Sequence, residues 1–365
     1  MSRRLRQQGM ALVVVLTIFA LAASIAAAIL YRQGHFRART ANLLNWDQRY
    51  QYALSVEAIA VQGLQMDLDD DTKQNQLVDS CAHEQWAVSL PPTPYGEAVV
   101  AASVQDLNAR FNLNWVVTAD KDGFVQDAEG IQMLKRLLAS LLTDPAKAEQ
   151  LAYEMADWAD SNNLVDGVYG AEDESYPLSR TPNLPAADAS ELRALLSMQA
   201  KDIDNANFWQ YVSALPIPST LNVNDAPPLV LQAVLGAVAG DEAAAAVIEL
   251  RKSAPITSID QVMALVPFAS LPADKAAELR KRLSVNSRYF EVMTDVAIDG
   301  QYTRLVSRLQ RIAGGQTAVY SRQLVPRLGP LEPACNPVYN ADTKTAMGNS
   351  TNNANNGGAG LLPTP

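Results

Sequence analysis

The chain begins with a long run of apolar residues. Between Met10 and Leu30, 21 positions in all, only Thr17 and Ser24 are polar. At 1.5 Å of rise per residue, a helix of this length matches the hydrocarbon thickness of a bilayer. Three arginines precede the run, and this arrangement leaves the N-terminus in the cytoplasm. The pattern predicts one membrane span with the remaining chain on the far side.

The pattern beyond the run continues as a helix. No proline interrupts residues 10–68, and apolar residues recur every three or four positions, as on one face of a surface helix. We therefore predict one long helix whose second half packs on a globular domain. Two alternatives stay open, an anchor followed by a separate amphipathic helix and a signal peptide cut after Ala28. The apolar stripe consists of Leu43, Trp46, Tyr50, Leu54, Ala58, Val61, Leu64 and Leu68.

Strand patterns occur in two separate places. Residues 97–104 form a short β-compatible run, and the next alternating stretches begin at Tyr289 and flank Asp299-Gly300, a dipeptide that favours tight hairpins. A further strand is predicted at 318–326. The interval 112–283 consists of Leu- and Ala-rich helical pieces separated by breakers. The pattern predicts an α+β fold, a long N-terminal helix on a small antiparallel sheet, with a large all-α domain inserted.

The predicted boundaries follow from these patterns. They are a basic leader (1–9), an apolar helix half (10–30), the first part of the sheet domain (31–111), the inserted domain (112–283), the second part of the sheet domain (284–335) and an Asn- and Gly-rich tail expected to be disordered (336–365). Residues 221–235 and 256–283 look like helix-hairpin-helix or SAM-like units. Pro267–Ser270 replaces the glycine hairpin that would approach phosphate, so we interpret them as a packing scaffold.

The charge balance excludes nucleic acid as a partner. The chain of 365 residues has 29 Lys and Arg against 39 Asp and Glu, a net charge of −10. Phosphate binding depends on clustered basic residues. Catalysis also finds little support, because the only histidines, His35 and His83, accompany no nucleophile motif and no glycine-rich phosphate loop follows a strand. We expect an assembly protein and not an enzyme.

Two cysteines occur, Cys81 and Cys335. In an exported chain an isolated pair indicates one disulfide, which here would join the two parts of the sheet domain. The alternative is two free buried thiols.

An acidic segment at 157–176 is the main candidate for ligand chemistry. Oxygen ligands without His or Cys suit a hard cation, and calcium fits better than magnesium. Asp160 and Glu172 bracket the turn-forming Gly167 and Gly170, so we expect both to be ligands. The alternative is a solvated acidic loop. The polar side chains that could supply oxygen ligands in this segment are Asp157, Asp160, Asn162, Asp166, Glu172, Asp173 and Glu174.

Several motifs together carry a family resemblance. They are the basic leader ending in Gly9, the apolar helix, "WAVSLPP" (86–92), "DLNARFNLN" (106–114), "DWADSN", "GAEDESY" and "LNVNDAP". In this order they resemble the general secretion pathway protein K family, the large minor pseudopilin of type II secretion systems. The resemblance covers nearly the whole chain except the tail. It implies a pseudopilin fold with an inserted helical domain, calcium in that domain, prepilin-peptidase cleavage after Gly9 and N-methylation of Met10. Carried over by position, the resemblance gives as the predicted calcium ligands Asp160, Asn162, Asp166, Glu172, Asp173 and Glu174.

The resemblance also offers a reason for the presence of Val14. In most pilin-like proteins the fifth residue after the cut is a glutamate, thought to neutralise the N-terminal ammonium of the subunit nearer the tip. An unpaired acid among apolar helices would be costly, so valine suits a subunit with no other ahead of it. We expect a single-pass inner-membrane protein with a periplasmic domain that caps the pseudopilus, initiates its assembly and supports export of folded proteins.

The expected partners are the other minor pseudopilins, the major pseudopilin, prepilin peptidase and the inner membrane. The competing hypothesis is a single-pass or secreted calcium-dependent binding module whose N-terminus is only a signal.

Overall fold

A computed structural model describes residues 5–142, 144–203, 208–312 and 315–333, with side chains from residue 10 onward. Helix α1 (Leu5–Gln74) is continuous, and 70 residues at 1.5 Å each make it about 105 Å long. It ends where Asn75 takes a left-handed φ of 53° and the Gln76 amide donates to the Asp71 carbonyl. The prediction of one long helix is confirmed, and the alternative of two separate helices is wrong.

The main sheet has five antiparallel strands in the order β1-β2-β9-β10-β11. Strands β1 and β2 precede the interval 112–283 in the sequence, and β9, β10 and β11 follow it. This arrangement confirms the predicted antiparallel sheet. The β9–β10 hairpin turns at Asp299 and Gly300, whose φ angles of 51° and 73° suit a tight turn. The strands are β1 (Leu90–Tyr95), β2 (Ala98–Asp106), β9 (Tyr289–Ile298), β10 (Gln301–Ile312) and β11 (Gln316–Val325).

Strand β1 was not predicted, since its sequence, LPPTPY, holds three prolines. Proline lacks the amide that a central strand needs, so it is confined to edges, and β1 is an edge strand.

The second half of α1 covers one face of this sheet. Ala53 and Val56 pack with Val100, Val296 and Leu305, and Leu64 packs with Trp86 and Phe290 further along. Leu64 belongs to the predicted apolar stripe, but Ala53 and Val56 do not, so the predicted stripe is only partly right.

Of the stripe residues, Ala58 is exposed, whereas Glu57 next to it is buried and accepts hydrogen bonds from the Arg322 guanidinium at 2.7 and 2.8 Å. The helix turns its Glu57 side towards β11 because that strand supplies a cation there.

The region between β2 and β9 contains most of the helices and one large apolar core, with Phe111, Leu134, Leu151, Phe208 and Leu231 fully buried. Its α-helices are α2 (Ala128–Leu141), α3 (Pro145–Ala159), α4 (Ala200–Ile203), α5 (Pro228–Ala239), α6 (Glu242–Ser253), α7 (Ile259–Met263), α8 (Val266–Ala269) and α9 (Ala273–Arg282).

The expectation of an all-α insertion is wrong in detail. Three small strand pairs lie in or beside it: β3 (Phe111–Asn112) with β6 (Val212–Ser213), β4 (Val117–Asp120) with β5 (Gly123–Gln126), and β7 (Leu221–Asn222) with β8 (Leu283–Ser284). Strands of two to four residues are too short to produce a period. One of the Leu- and Ala-rich pieces predicted within 112–283, at residues 189–198, contains a 3₁₀ helix at Ala189–Ala194 instead of an α-helix. The SAM-like interpretation and the domain boundaries stay predictions, and the tail at 336–365 lies outside the described residues.

Buried polar side chains join the inserted region to the sheet. The Asn222 amide donates to the Asp79 carbonyl at 3.1 Å, to the Asp106 carboxylate at 3.1 Å and to the Ser287 hydroxyl at 2.9 Å. We call this group, with Asp225 and Arg311, the domain junction. Because residues from five separate parts of the chain meet here, the inserted region is held at a defined place beside the sheet.

Candidate metal centre and apolar helix

Three acidic side chains meet where α3 ends. Asp157 lies in the last turn, Asp160 is the C-terminal cap, and the following loop returns at Glu172. The three-residue spacing of Asp157 and Asp160 puts both on one face of the helix. A helix C-terminus carries partial negative charge, so carboxylates are unfavourable there unless a cation offsets them.

The three carboxylates form a tight buried group. One oxygen of each lies within 4.8 Å of the others, and the residues are at most 2% exposed. The Gln126 amide donates to Asp157 Oδ1 at 2.7 Å and to Asp160 Oδ2 at 2.9 Å. We call Asp157, Asp160 and Glu172 the carboxylate cluster.

Burial works against the charge of this cluster. It raises the pKa of Asp157 to about 6 and that of Glu172 to about 7, and it also raises the pKa of Asp160. Within the described part of the chain, no lysine or arginine forms an ion pair with any of the three, and Glu172 Oε1 has no hydrogen-bond partner. An orphaned buried oxygen beside two other carboxylates fits a hard cation.

Glycine allows the loop to close on the cluster. A side chain at Gly170 would place its Cβ 2.2 Å from Asp157 Oδ2 and 2.6 Å from the Asp166 carbonyl oxygen. Gly167 has a left-handed φ of 70°. The two glycines therefore serve the tight turns expected of them.

The other predicted ligands lie outside the carboxylate cluster. Asn162 donates its amide to Asp160 Oδ1 at 3.0 Å, and its own oxygen accepts the Leu164 amide at 2.7 Å. Asp166 is exposed, and only its backbone amide reaches Asp157, at 3.4 Å.

Asp173 and Glu174 also lie outside the carboxylate cluster. Asp173 accepts the Thr181 amide at 2.8 Å and hydroxyl at 3.0 Å, while Glu174 is exposed. Sequence reasoning omitted Asp157 from the ligand set, although its i,i+3 relation to Asp160 would have indicated it.

The described residues contain only one of the two cysteines. Cys81 is half-buried, and its amide donates to the Asp225 carboxylate at 2.9 and 3.1 Å. Cys335 lies outside the described residues, so the disulfide stays a prediction.

The first half of α1 has no packing partner in the described chain. Every side chain from residue 10 to 44 is exposed, including Met10 and Val14. The helix is long and apolar enough to cross a membrane, with a mean hydropathy of 2.8 in its most apolar window. Gly9 lies within the helix.

Comparisons with known proteins agree with this architecture. Family models for type II secretion system protein K match residues 109–217 and 221–286. Type II secretion system protein K of Pseudomonas aeruginosa is 31% identical over 327 residues, covering 87% of this chain and 93% of that protein. The chain belongs to the type II secretion system protein K family. The relative from Aeromonas hydrophila is 30% identical over 336 residues, covering 85% of this chain and 98% of that protein.

The protein K fold is also shared with a solved structure. One chain in the crystal structure of the GspK-GspI-GspJ complex from enterotoxigenic Escherichia coli matches with a TM-score of 0.67 at 23% identity, covering 79% of this chain and 99% of that chain. The chain is thus a mixed helix-and-sheet protein of the protein K family, and its apolar helix suggests single-pass membrane anchoring.

Proposed function

We propose that this protein is the minor pseudopilin that caps the tip of a type II secretion pseudopilus. The observation that carries the proposal is the continuous helix α1. Its residues 10–30 are almost wholly apolar, residues 10–44 have no packing partner in the described chain, and the part beyond them packs on the sheet. Such a helix can pack side by side with other pilin-like helices while holding its globular part above them.

The size of the globular part supports a position at the end. Eight α-helices described between Asp106 and Tyr289 extend beyond the sheet that α1 covers. Along a shaft each subunit must fit between neighbours on both sides. At the tip this bulk meets no subunit above it, and the cap would initiate assembly and support export of folded proteins across the outer membrane.

Val14 supports the same position. An acid at this place in a pilin-like helix would face the terminal ammonium of the next subunit towards the tip, and a cap has no such neighbour. An apolar side chain among apolar helices carries no desolvation cost.

The partners we propose follow from the helix and the related complex. The homologous chain was solved with GspI and GspJ, and we infer that two smaller minor pseudopilins pack here on residues 10–44, with the major pseudopilin below. Prepilin peptidase would cut after Gly9, and Met10 would be methylated. The helix would start in the inner membrane, with the globular part and a Cys81–Cys335 disulfide in the periplasm.

We propose calcium as the cation of the carboxylate cluster. Three carboxylates offer up to six oxygens, and calcium takes six to eight. Asp157, Asp160 and Glu172 would hold the ion, which would neutralise their mutual repulsion and stabilise the loop at 161–172.

The tip position is tested by labelling. Subunits carrying a gold label at an exposed position such as Tyr302 should appear at one end of purified pseudopili. A labelled major pseudopilin, which should appear along the whole length, is the control. An even distribution of the protein K label along the filament would contradict the capping role.

The mature N-terminus separates the proposal from an ordinary exported binding protein. Mass spectrometry of the chain from membranes should find a methylated Met10 at its start. A chain beginning near Ile29 would show that the apolar run is a discarded signal.

Calcium binding is tested on the full-length chain in detergent micelles by equilibrium dialysis with radioactive calcium. Asp160→Asn should lower binding strongly, because it removes a charge inside the cluster. Glu174→Gln should leave binding unchanged if the carboxylate cluster is the site, and it should lower binding if the ligand set predicted from the sequence is correct. Equal binding by the wild type and Asp160→Asn would place any bound calcium elsewhere.

A further inference from the structure

A cavity of about 200 Å³ lies between the outer face of the main sheet and the inserted region. The sheet side contributes Arg110, Glu291 and Arg308, and the inserted region contributes Asp188, Arg193 and Trp209. Neither the metal centre nor the apolar helix includes any of these residues. The cavity is therefore a separate feature of the molecule.

Both carboxylates in the lining are already paired. Glu291 lies between two guanidinium groups, with its oxygens 3.8 Å from Arg110 and 3.3 Å from Arg308. Asp188 lies 2.6 Å from Arg308 and accepts the Ser190 amide at 2.8 Å. Both carboxylates are thus committed to partners within the protein.

The arginines are only partly satisfied. Arg110 is 8% exposed, and its buried Nε atom has no hydrogen-bond partner in the described structure. Arg193 stacks on the Trp209 ring at 4.5 Å and forms no ion pair within the described residues. Three arginines against two carboxylates leave one positive charge in excess. Arg110 and Arg308 both pair with carboxylates of the lining, and Arg193 forms no such pair among the described residues. One further acceptor with a single negative charge beside Arg193 would therefore balance the lining.

We propose that this cavity is a carboxylate-binding site, which takes a single Asp or Glu side chain from a segment of another protein chain. One carboxylate balances the excess charge, whereas a phosphate dianion would exceed it. Trp209 and Val212 provide apolar walls for the methylene groups of an acidic side chain. Because its walls come from the sheet and from the inserted region, an occupant would bind both and stabilise their contact.

The chemistry is tested with small peptides on the full-length chain in detergent micelles. Saturation-transfer NMR should detect binding of acetyl-Gly-Glu-Gly-amide and not of acetyl-Gly-Gln-Gly-amide. Arg193→Gln should weaken binding about tenfold or more, as expected when a charge-assisted hydrogen bond is lost. Arg280→Gln, which changes an exposed arginine on α9 paired with Asp260, should leave binding unchanged.

Several results would overturn the assignment. They are equal binding of the Glu and Gln peptides, no binding of either, tighter binding of inorganic phosphate, and an equal loss in both arginine variants. Arg193 is exposed, so thermal unfolding should show that its variant folds normally.

The source of the acidic group is tested in cells. A photoreactive phenylalanine derivative in place of Ser190, an exposed residue of the cavity lining, should form a cross-link to a peptide that contains Asp or Glu, either in a second copy of this chain or in a different protein, and peptide mapping distinguishes the two. A cross-linked peptide without an acidic residue, or no cross-link to any other chain, would overturn the proposal of a protein segment.

Discussion

Two groups of buried carboxylates differ in how their charge is compensated. At the domain junction, Asp79 pairs with Arg311 at 2.8 Å and accepts the Ser287 amide at 2.7 Å. In the carboxylate cluster, the described residues supply amide donors and no basic side chain. The number of buried acids is similar, so the distinguishing feature of a candidate cation site is the missing positive charge.

The junction also satisfies its acids with neutral donors. Asp106 accepts the Ser287 hydroxyl at 2.6 Å, the Asn222 amide at 3.1 Å and the Asn108 amide at 2.7 Å. Asp225 accepts the Cys81 amide. The junction therefore needs no external ion to hold the two parts of the molecule together, whereas we expect the cluster to need one.

The largest effect should come from removing the cation of the junction. Arg311→Ala leaves Asp79 and Asp67 without the guanidinium that pairs with both. Loss of one partner of a buried pair costs about 3–5 kcal/mol. Urea unfolding of the full-length chain in micelles measures this change. Lys73→Ala breaks an exposed pair and should leave stability nearly unchanged, and an equally small change for Arg311→Ala would contradict the role of the junction.

Calcium should stabilise the cluster by a somewhat smaller amount. At a free concentration 100 times the dissociation constant, binding adds about 2.7 kcal/mol to the free energy of unfolding. Chelation should lower the melting temperature of the wild type and have no effect on Asp157→Asn. Arg311→Ala should keep the calcium response, since the junction is a separate site. If chelation gives the same unfolding curve as calcium in the wild type, the cluster is not a cation site.

Gly170→Ala tests the loop geometry without changing any charge. The added methyl would overlap Asp157 Oδ2 and the Asp166 backbone, and such overpacking costs about 1–3 kcal/mol. Calcium affinity should fall, because the loop can no longer lie against the cluster. Gly329→Ala, which meets no atom within 4 Å, is the matched control. An unchanged calcium affinity in Gly170→Ala would show that this loop does not contribute to the site.

The smallest predicted effect concerns pH at the junction. Burial raises the pKa of Asp106 from its ordinary value to about 7. The unfolded chain releases this proton at lower pH than the folded chain does, so the stabilisation is fully present below about pH 4 and is lost as pH rises through 7. The free energy of unfolding should therefore fall by about 1 kcal/mol between pH 6 and pH 8.

Asp106→Asn should flatten this part of the pH profile, since an amide does not titrate. Asp260→Asn changes an exposed acid and serves as the control. Stability that rises over the same pH interval in the wild type would show that Asp106 is ionised in the fold.

The sequence contained enough information for the parts of the fold that depend on local patterns. A proline-free apolar run predicted α1, and alternation around Asp299-Gly300 predicted the β9–β10 hairpin. It did not indicate β1, because prolines suppress the strand pattern. Nor could it show that Glu57 is buried, because its partners Arg322 and Ser307 come from strands 250 and more positions away.

The candidate metal centre was only partly predictable from the sequence, for a similar reason. Asp160 and Glu172 were expected because glycines lie between them, and the structure places them together. Asn162, Asp173 and Glu174 were predicted as ligands from their position in the sequence. In the structure, Asn162 and Asp173 form hydrogen bonds with nearby residues, and Glu174 is exposed to solvent. Gln126 could not have been foreseen, since β5 brings it to the cluster from outside the acidic segment.

The continuity of α1 has a mechanical consequence. From Met10 to Trp46 the helix runs about 54 Å before its side chains meet the sheet. Because the helix has no break over this distance, it acts as a lever whose short movements are enlarged at the far end. A rotation of its axis by roughly 10° at Met10 would displace Trp46, and the whole globular part with it, by about 9 Å.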